Sequence, residues 1–432
     1  MFNLKNKVFS NTIWLLSEKL LNILGLIFVT SAVAKYIGPE DFGKLNLSIY
    51  YFSIFQVIAI WGSDVIGLKL IAKYPTRGVS YLISFTFFKF LVFLVMSTCL
   101  LIYFYIYHDK LTFIYSLSVC ISSLFYVIDW LYIYNEARLF SFLNVITNIL
   151  GLVISLFIRV LITKLGMDPV YLSFSILAQG MLPTLFRFFI YKYKYSVKET
   201  VGENGGKKKS YVGYGVKSGL SLLISAISVM IYINIGRVFL SSIAGLTELG
   251  IYSVAITLGT TWVFLSNALI VSFTPKIFSS NKTDKLNVIS FLQVMLVFIG
   301  LLYLAFFFIF GHLMISILYG DNYIGAYNIT LILIVATTFS SLGIVSARFV
   351  ISDGGYSFEA KKTILTALCS IFSNLYLINK YGVIGAGLSS LISELLSLTI
   401  FNYFYNNRLV LKLHASSFSI KKIIGGCKLI SG

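Results

Sequence analysis

Long apolar runs dictate what this chain can become. Two of them are SFTFFKFLVFLVMSTCLLIYFYIY at 84–107 and VISFLQVMLVFIGLLYLAFFFIF at 288–310. Runs of about 20 apolar residues are long enough, as helices, to cross a hydrocarbon layer roughly 30 Å thick. Such a layer offers no water to a backbone N–H or C=O, so the chain must satisfy both within itself. Charged residues make up 12% of the sequence and the mean hydropathy is +0.89, whereas a soluble domain carries about 25% charged residues. No alternating ten-residue pattern of the kind that builds an outer-membrane barrel occurs. The expected fold class is therefore all-α integral membrane.

Twelve spans are expected, at 11–34, 45–66, 79–106, 112–134, 140–163, 170–190, 214–236, 249–274, 287–310, 324–347, 362–379 and 383–404. The first is too long for a signal-peptide core and has no small-residue cleavage site, so it reads as a retained span. The net charge of +18 follows the loops. With the N-terminus inside, inner segments hold 23 of the 34 Lys and Arg, and outer loops hold six: Lys35, Lys44, Lys110, Lys164, Arg237 and Lys380. That asymmetry puts both termini in the cytoplasm and accounts for the basic charge without nucleic acid. Cys99, Cys120, Cys369 and Cys427 show no paired spacing, so neither a disulfide framework nor a metal site is expected.

Nearly the same turn is written twice. GPEDFG at 38–43 follows span one and GLTELG at 245–250 follows span seven, an offset of 207 residues in 432. Between the halves lies KYKYSVKETVGENGGKKKS, 192–210, which is basic and poor in apolar residues and reads as a flexible connector. The expected organisation is an N-terminal six-helix lobe at 1–200, a cytoplasmic connector at 201–213, a C-terminal six-helix lobe at 214–405 and a basic tail at 406–432. Six spans per half give both halves one orientation, as parallel repeats have. Glycine suits the turn because it accepts positive φ, and Asp41 and Glu248 suit the N-terminus of the helix that follows.

No extramembrane stretch is long enough for a catalytic or nucleotide-binding domain, and no phosphate-cradling glycine loop with Lys-Ser/Thr occurs. His108, His312 and His414 stand apart from carboxylates and cysteines at ligand spacing. Neither enzymatic chemistry nor a cofactor is expected. Function must then sit on polar groups inside the spans, where they are costly. Span five carries Ser141, Asn144, Asn148, Gly151, Ser155 and Arg159 at intervals of three or four, hence on one face. A wet lumen would solvate that stripe, and so would hydrogen bonds to a partner helix. Span one carries Asn11, Trp14, Glu18, Asn22 and Gly25 in the same spacing, with Lys19 turned about 100° from Glu18. Span seven opens with Gly215-x-x-x-Gly219 and carries Lys217 at its inner end.

Lys89 and Glu394 read as the deepest lone charges. Asp64, Asp129 and Arg187 lie nearer the cytoplasmic ends, and Pro183 predicts a kink in span six. The candidate substrate-binding residues are Arg159, Lys89, Lys217, Lys19, Arg187, Asn144 and Asn148. The candidate ion-coupling residues are Glu18, Glu394 and Asp64. Two lobes around a central cationic cavity would suit an anion with a greasy tail, whose tail stays in lipid while its head enters the cavity.

Three stretches carry a resemblance: NTIWLLSEKLLNILGLIFVTSAVAKYIGPEDFGKL at 11–45, DWLYIYNEARLF at 129–140 and NLYLINKYGVIGAGLSSLISELL at 374–396. They resemble the polysaccharide flippases of the multidrug/oligosaccharidyl-lipid/polysaccharide exporter superfamily, above all the O-antigen flippases. The resemblance implies translocation of undecaprenyl-pyrophosphate-linked sugar repeat units to the outer leaflet of the inner membrane. It implies alternating access, an ion gradient as the energy source, and a place in lipopolysaccharide or related surface-polysaccharide biosynthesis. The implied partners are the lipid-linked oligosaccharide, membrane lipids and other polysaccharide assembly proteins. Peptidoglycan-precursor flippases differ by two further helices and by arginines in helices one, two and eight. This chain has Lys19 in span one and no basic residue in span eight before Lys276. The competing readings are a drug/cation antiporter of the same superfamily and a membrane-embedded polymerase or ligase. The antiporter would favour an acidic cavity, and the enzyme would need a larger outer loop.

Overall fold

The architecture comes from a computed structural model, which describes residues 25–194, 208–279 and 281–417 together with Trp14, Glu18, Leu21, Asn22 and Gly425. Asn11, Lys19, Cys427, most of the connector and the end of the basic tail lie outside the described residues. The described residues form helices and short turns with no strand. A π-helical turn at Gly25–Thr30 leads into α1 (Ser31–Ile60). Then follow α2 (Ser63–Lys73), α3 (Pro75–Tyr107), α4 (Lys110–Ile128), α5 (Trp130–Ala137), α6 (Ser141–Leu165) and α7 (Leu172–Lys194). The second half has α8 (Lys208–Ile243), α9 (Leu246–Thr260), α10 (Val263–Ser279), α11 (Lys282–Leu318), α12 (Ala326–Ser352) and α13 (Tyr356–Leu398), closing with α14 (Ile400–Tyr403) and α15 (Leu409–Ser417).

Among the described residues nine helices are long and apolar enough to cross a membrane. A tenth is added if α9 and α10, bent by 41° at their junction, form one span. Their outward faces are greasy: Phe87 on α3, Phe157 on α6 and Phe308 on α11 are all well exposed. In water such contiguous apolar surface would be a liability, whereas acyl chains cover it without cost. The chain is a multi-pass membrane protein.

Two compact units make up the chain, Met1–Met230 and Ile231–Gly432. In the first, α6 packs along α7 and α4 packs on both α7 and α1. Gly151 of α6 is what lets α7 approach, since a Cβ there would meet the Pro183 ring at 2.6 Å. Helix α7 runs through Pro183, and the proline faces the glycine that makes room for it. In the second unit α12 packs on α13, α11 and α9, around a core that includes Val288, Leu292, Leu296 and Val345. The short α15 lies along α11 and buries Val410 and Leu413 in the same core.

The repeated turn has one backbone conformation. Gly38 breaks α1 at φ 79°, ψ 172°, and Gly245 caps α9 at φ 96°, ψ 175°. That corner of conformational space is open essentially to glycine alone. Pro39 follows Gly38 and restarts the helix, as proline does in a first turn. Five residues on, Lys44 gathers Asp41 at 2.8 Å, Asp109 at 3.0 Å and Glu40 at 3.1 Å, tying the restart to the α3–α4 loop. A second break of the same kind divides α13 at Gly382, φ 56°, ψ −133°.

Candidate functional site

Arg159 sits in the last third of α6, half-buried, and spreads its guanidinium across three neighbours. Nε donates to Ser175 Oγ at 3.3 Å, Nη1 to Thr30 Oγ1 at 3.2 Å and Nη2 to Gln179 Oε1 at 2.9 Å. All three acceptors are neutral. Hydroxyls and an amide oxygen orient the fork, but their dipoles do not cancel its charge. A guanidinium inside an apolar span is expensive unless an anion completes it. Its planar array of donors also matches the paired oxygens of a carboxylate or phosphate.

Three other basic residues of the first unit, Lys44, Lys89 and Arg187, are paired with acids. Asp129 stands at the junction of α4 and α5. Arg187 of α7 donates to its Oδ2 through Nε at 2.7 Å, with Nη2 at 2.5 Å. The carboxylate also accepts from Thr184 Oγ1 at 3.2 Å and caps α5 by accepting from Tyr132 N at 3.2 Å. The same guanidinium reaches Thr147 Oγ1 and Asn148 Oδ1, each at 2.8 Å, and its carbon lies 5.5 Å from the Tyr132 ring centre. Asn148 then turns its Nδ2 to Glu18 Oε1 at 2.8 Å. A guanidinium only donates and a carboxylate accepts, so the orientation of the Asn148 amide follows from its two neighbours.

Lys89 and Glu394, expected as lone deep charges, both have partners supplied by other helices. Lys89 of α3 is buried with Asp64 Oδ1 of α2 at 3.9 Å. Glu394 of α13 is hydrogen-bonded by Tyr232 of α8 and Ser340 of α12, with Lys362 in electrostatic range. Lys362 itself is held by Glu359 at 2.7 Å and by Asn402 Oδ1 at 3.0 Å. Around Asp129 the carboxylates outnumber the cations. Asp64 is within electrostatic reach of Asp129 and Lys89, and Glu136 of Asp64. The expected excess of buried cations is therefore not found in this part of the first unit.

The polar stripe of α6 divides in two. Ser141, Asn144, Gly151 and Ser155 are buried. Asn144 accepts from Asn135 Nδ2 at 2.9 Å and donates to the Tyr132 carbonyl at 2.9 Å, so it knits α6 to α5. Asn148 and Arg159 remain partly accessible. Lys217 of α8 is exposed, and Lys19 lies outside the described residues. Of the candidate substrate-binding residues, the structure joins Arg187 and Asn148 in one network with Glu18. Arg159 stands apart with neutral partners.

Thr30, Ser175 and Gln179 around Arg159 escaped sequence reading, as did Tyr232 and Ser340 around Glu394. Each is a common polar residue in a span, and what marks it is a long-range neighbour. The spacing Ser175–Gln179, one helical turn on α7, was the only available sign. Among the described residues no three His, Cys, Asp or Glu gather as metal ligands. His312 stacks on Tyr327 with ring centres 3.8 Å apart, and His414 bonds to Ser346 Oγ at 2.9 Å and Tyr403 OH at 3.3 Å.

A family model described as polysaccharide biosynthesis protein matches residues 8–280. The capsular polysaccharide biosynthesis protein CapF of Staphylococcus aureus is 27% identical over 270 residues, which cover 60% of this chain and 65% of that relative. The match thus spans just under two thirds of the relative's length. Among solved structures, an inward-facing multidrug resistance MATE family transporter of the MOP superfamily superposes with a TM-score of 0.67 at 14% identity, covering 93% of this chain and 96% of its own. The lipid II flippase MurJ in an inward closed conformation superposes at 0.61 and 14% identity, covering 97% and 96%. At that identity the likeness speaks for the fold. The neighbours are named as transporters and a flippase, not as catalysts.

Proposed function

The chain belongs to the polysaccharide biosynthesis protein family, and from that premise we propose that it is a flippase for a lipid-linked oligosaccharide. The substrate would be an undecaprenyl-pyrophosphate-linked repeat unit of O-antigen or a related surface polysaccharide. It would move from the cytoplasmic to the outer leaflet of the inner membrane by alternating access, driven by an ion gradient. The lobes would be residues 1–200 and 214–405, joined by the connector 201–213 and followed by the cytoplasmic tail 406–432, with both termini in the cytoplasm. The twelve spans of this reading would take the two sides of the Gly38 and Gly382 breaks separately, the first of them continuing into residues outside the described ones.

One observation carries the reading: Arg159 stands within a membrane-spanning helix with three neutral hydrogen-bond acceptors around its guanidinium. A pyrophosphate in hydrocarbon faces a desolvation cost of tens of kcal/mol, and each unpaired sugar hydroxyl adds several more. A cation held open by neutral acceptors supports lowering that barrier for the head group while the lipid tail stays in the bilayer. Glu18, Glu394 and Asp64 would serve as ion-coupling groups, and a potential of 100 mV supplies about 2.3 kcal/mol for each charge moved.

The test is surface polysaccharide in a strain lacking its own flippase, complemented with Arg159→Gln, Lys89→Gln and Lys217→Gln. Loss for Arg159→Gln at normal protein level supports the reading, and full polysaccharide in all three removes these residues from it. The carboxylates Glu18, Asp64, Asp129 and Glu136 in the first unit favour a second reading, cation exchange on the same fold. Uptake of a cationic dye against a proton gradient, with no rescue of polysaccharide, would select that alternative.

A further inference from the structure

The last membrane helix ends in a groove that the translocation reading does not use. Ile400, Tyr403, Phe404, Asn407, Arg408 and Leu411 line an open cavity of about 500 Å³ between the end of the Tyr356–Tyr403 span and α15. Its walls combine apolar side chains with one guanidinium, and no carboxylate lines it. Phe404 is 78% exposed and Ile400 48% exposed, so the described residues leave the apolar wall uncovered. The opposite face of α15 is committed inward, through Val410 and Leu413.

The backbone beneath the groove is strained. Asn406, Asn407 and Arg408 have φ of 34°, 51° and 63°, three successive non-glycine residues in the left-handed region. L side chains are disfavoured there and persist when the surroundings fix them. Glycine would be the unstrained choice at all three positions, yet the chain carries two amides and a guanidinium. The turn therefore gives up backbone stability to present polar side chains beside an apolar slot at the edge of the bilayer.

We propose that this groove binds an anionic phospholipid. The acyl chains would lie against Ile400 and Phe404, and the phosphate would sit on Arg408, with the Asn407 amide as a second donor. The location argues for a lipid because the groove opens where the last apolar helix, Tyr356–Tyr403, ends. Charge complementarity argues for an anionic one, since the only ionised side chain in the lining is a cation. A guanidinium can grip a phosphodiester through two parallel N–H bonds, and in a zwitterionic lipid the headgroup ammonium offsets the negative charge that it meets.

The experiment uses the full-length protein in detergent, titrated with short-chain phosphatidylglycerol or phosphatidylcholine, with bound lipid read by native mass spectrometry and stability by thermal melting. Wild type should retain phosphatidylglycerol preferentially. Arg408→Gln should weaken that binding by about tenfold, whereas Lys412→Gln, one turn on and outside the lining, should lose no more than the roughly fivefold expected of any surface cation. Arg408→Gly should melt higher than wild type in phosphatidylcholine, because it relieves the positive φ, and should lose the phosphatidylglycerol preference. Equal retention of the two lipids by wild type, or an unchanged preference in Arg408→Gln and Arg408→Gly, overturns the proposal. Equal stabilisation by inorganic phosphate alone also overturns it, because the site would then recognise a free anion. None of these outcomes touches Arg159.

Discussion

Arg187 and Asp129 form a buried ion pair, with Nε to Oδ2 at 2.7 Å and side-chain exposures of 4% and 2%. Taking two charges out of water costs more than their attraction returns unless every remaining donor and acceptor is satisfied. Here Thr147, Asn148, Thr184 and the Tyr132 amide complete the pair. Removing one partner leaves the other charged and stranded. Asp129→Asn and Arg187→Gln should each destabilise the folded protein by about 3–5 kcal/mol, seen as a lower melting temperature in detergent. Asp129→Leu with Arg187→Met should recover most of that loss. A double variant as unstable as the sum of the singles would mean that the pair is not the stabilising unit.

The two glycine turns make a separate prediction. Nothing lies within 4 Å of a Cβ built on Gly38 or Gly245, so space is not what excludes a side chain. Conformation is. Gly38→Ala and Gly245→Ala should each cost about 1–3 kcal/mol, whereas Gly343→Ala, which also has open space but lies mid-helix, should be neutral or stabilising. Thermal melting of the three variants side by side measures the contrast.

His414 lies in α15, outside the membrane-spanning helices, and burial lowers its pKa from 6.5 to about 4. The fold therefore holds the neutral ring. Above pH 6.5 both folded and unfolded chains carry it neutral, and it contributes no pH dependence. As pH falls from 6.5 towards 4 the unfolded chain takes the proton first, and stability should drop by up to roughly 3 kcal/mol. Below about pH 4 both forms are protonated and the loss levels off. His414→Gln, which can still bond Ser346, should flatten the melting temperature over that window. An unchanged slope would assign the pH dependence to other groups.

Gly151 tests the approach of α6 to α7. A Cβ there meets the Pro183 ring, which has no flexible end to swing away. Gly151→Ala should push the helices apart and cost about 1–3 kcal/mol. Combining it with Pro183→Ala should restore part of that cost. If the single variant melts like wild type, the interface is looser than the structure has it.

That the chain crosses the membrane as helices was legible in the sequence because lipid allows few solutions, whereas the helix breaks after Ile60 and Ile128, inside the spans expected at 45–66 and 112–134, were not. The glycine turns were legible because only one residue type fits their backbone. The stripe on α6 was legible as a face, but which of its members bond to a neighbour was not. Asn144 and Asn148 are one turn apart with the same side chain. One knits α6 to α5 through Asn135 and Tyr132, and the other bridges Arg187 to Glu18. That difference depends on which helix lies opposite, which periodicity does not encode. Lys89 and Glu394 looked alone for the same reason. Asp64 and Tyr232, which answer them, come from other helices.

Translocation through Arg159 is tested most directly in sealed vesicles. Vesicles carrying the purified protein and an undecaprenyl-pyrophosphate-linked oligosaccharide would be assayed for sugar reaching the opposite leaflet, by lectin binding from outside. With an imposed ion gradient, wild type should expose sugar rapidly. Arg159→Lys should be intermediate, and Arg159→Gln should be slower by about tenfold or more, the loss of one charge-assisted contact. Arg159→Gln flipping at the wild-type rate, at equal protein per vesicle, would contradict the account.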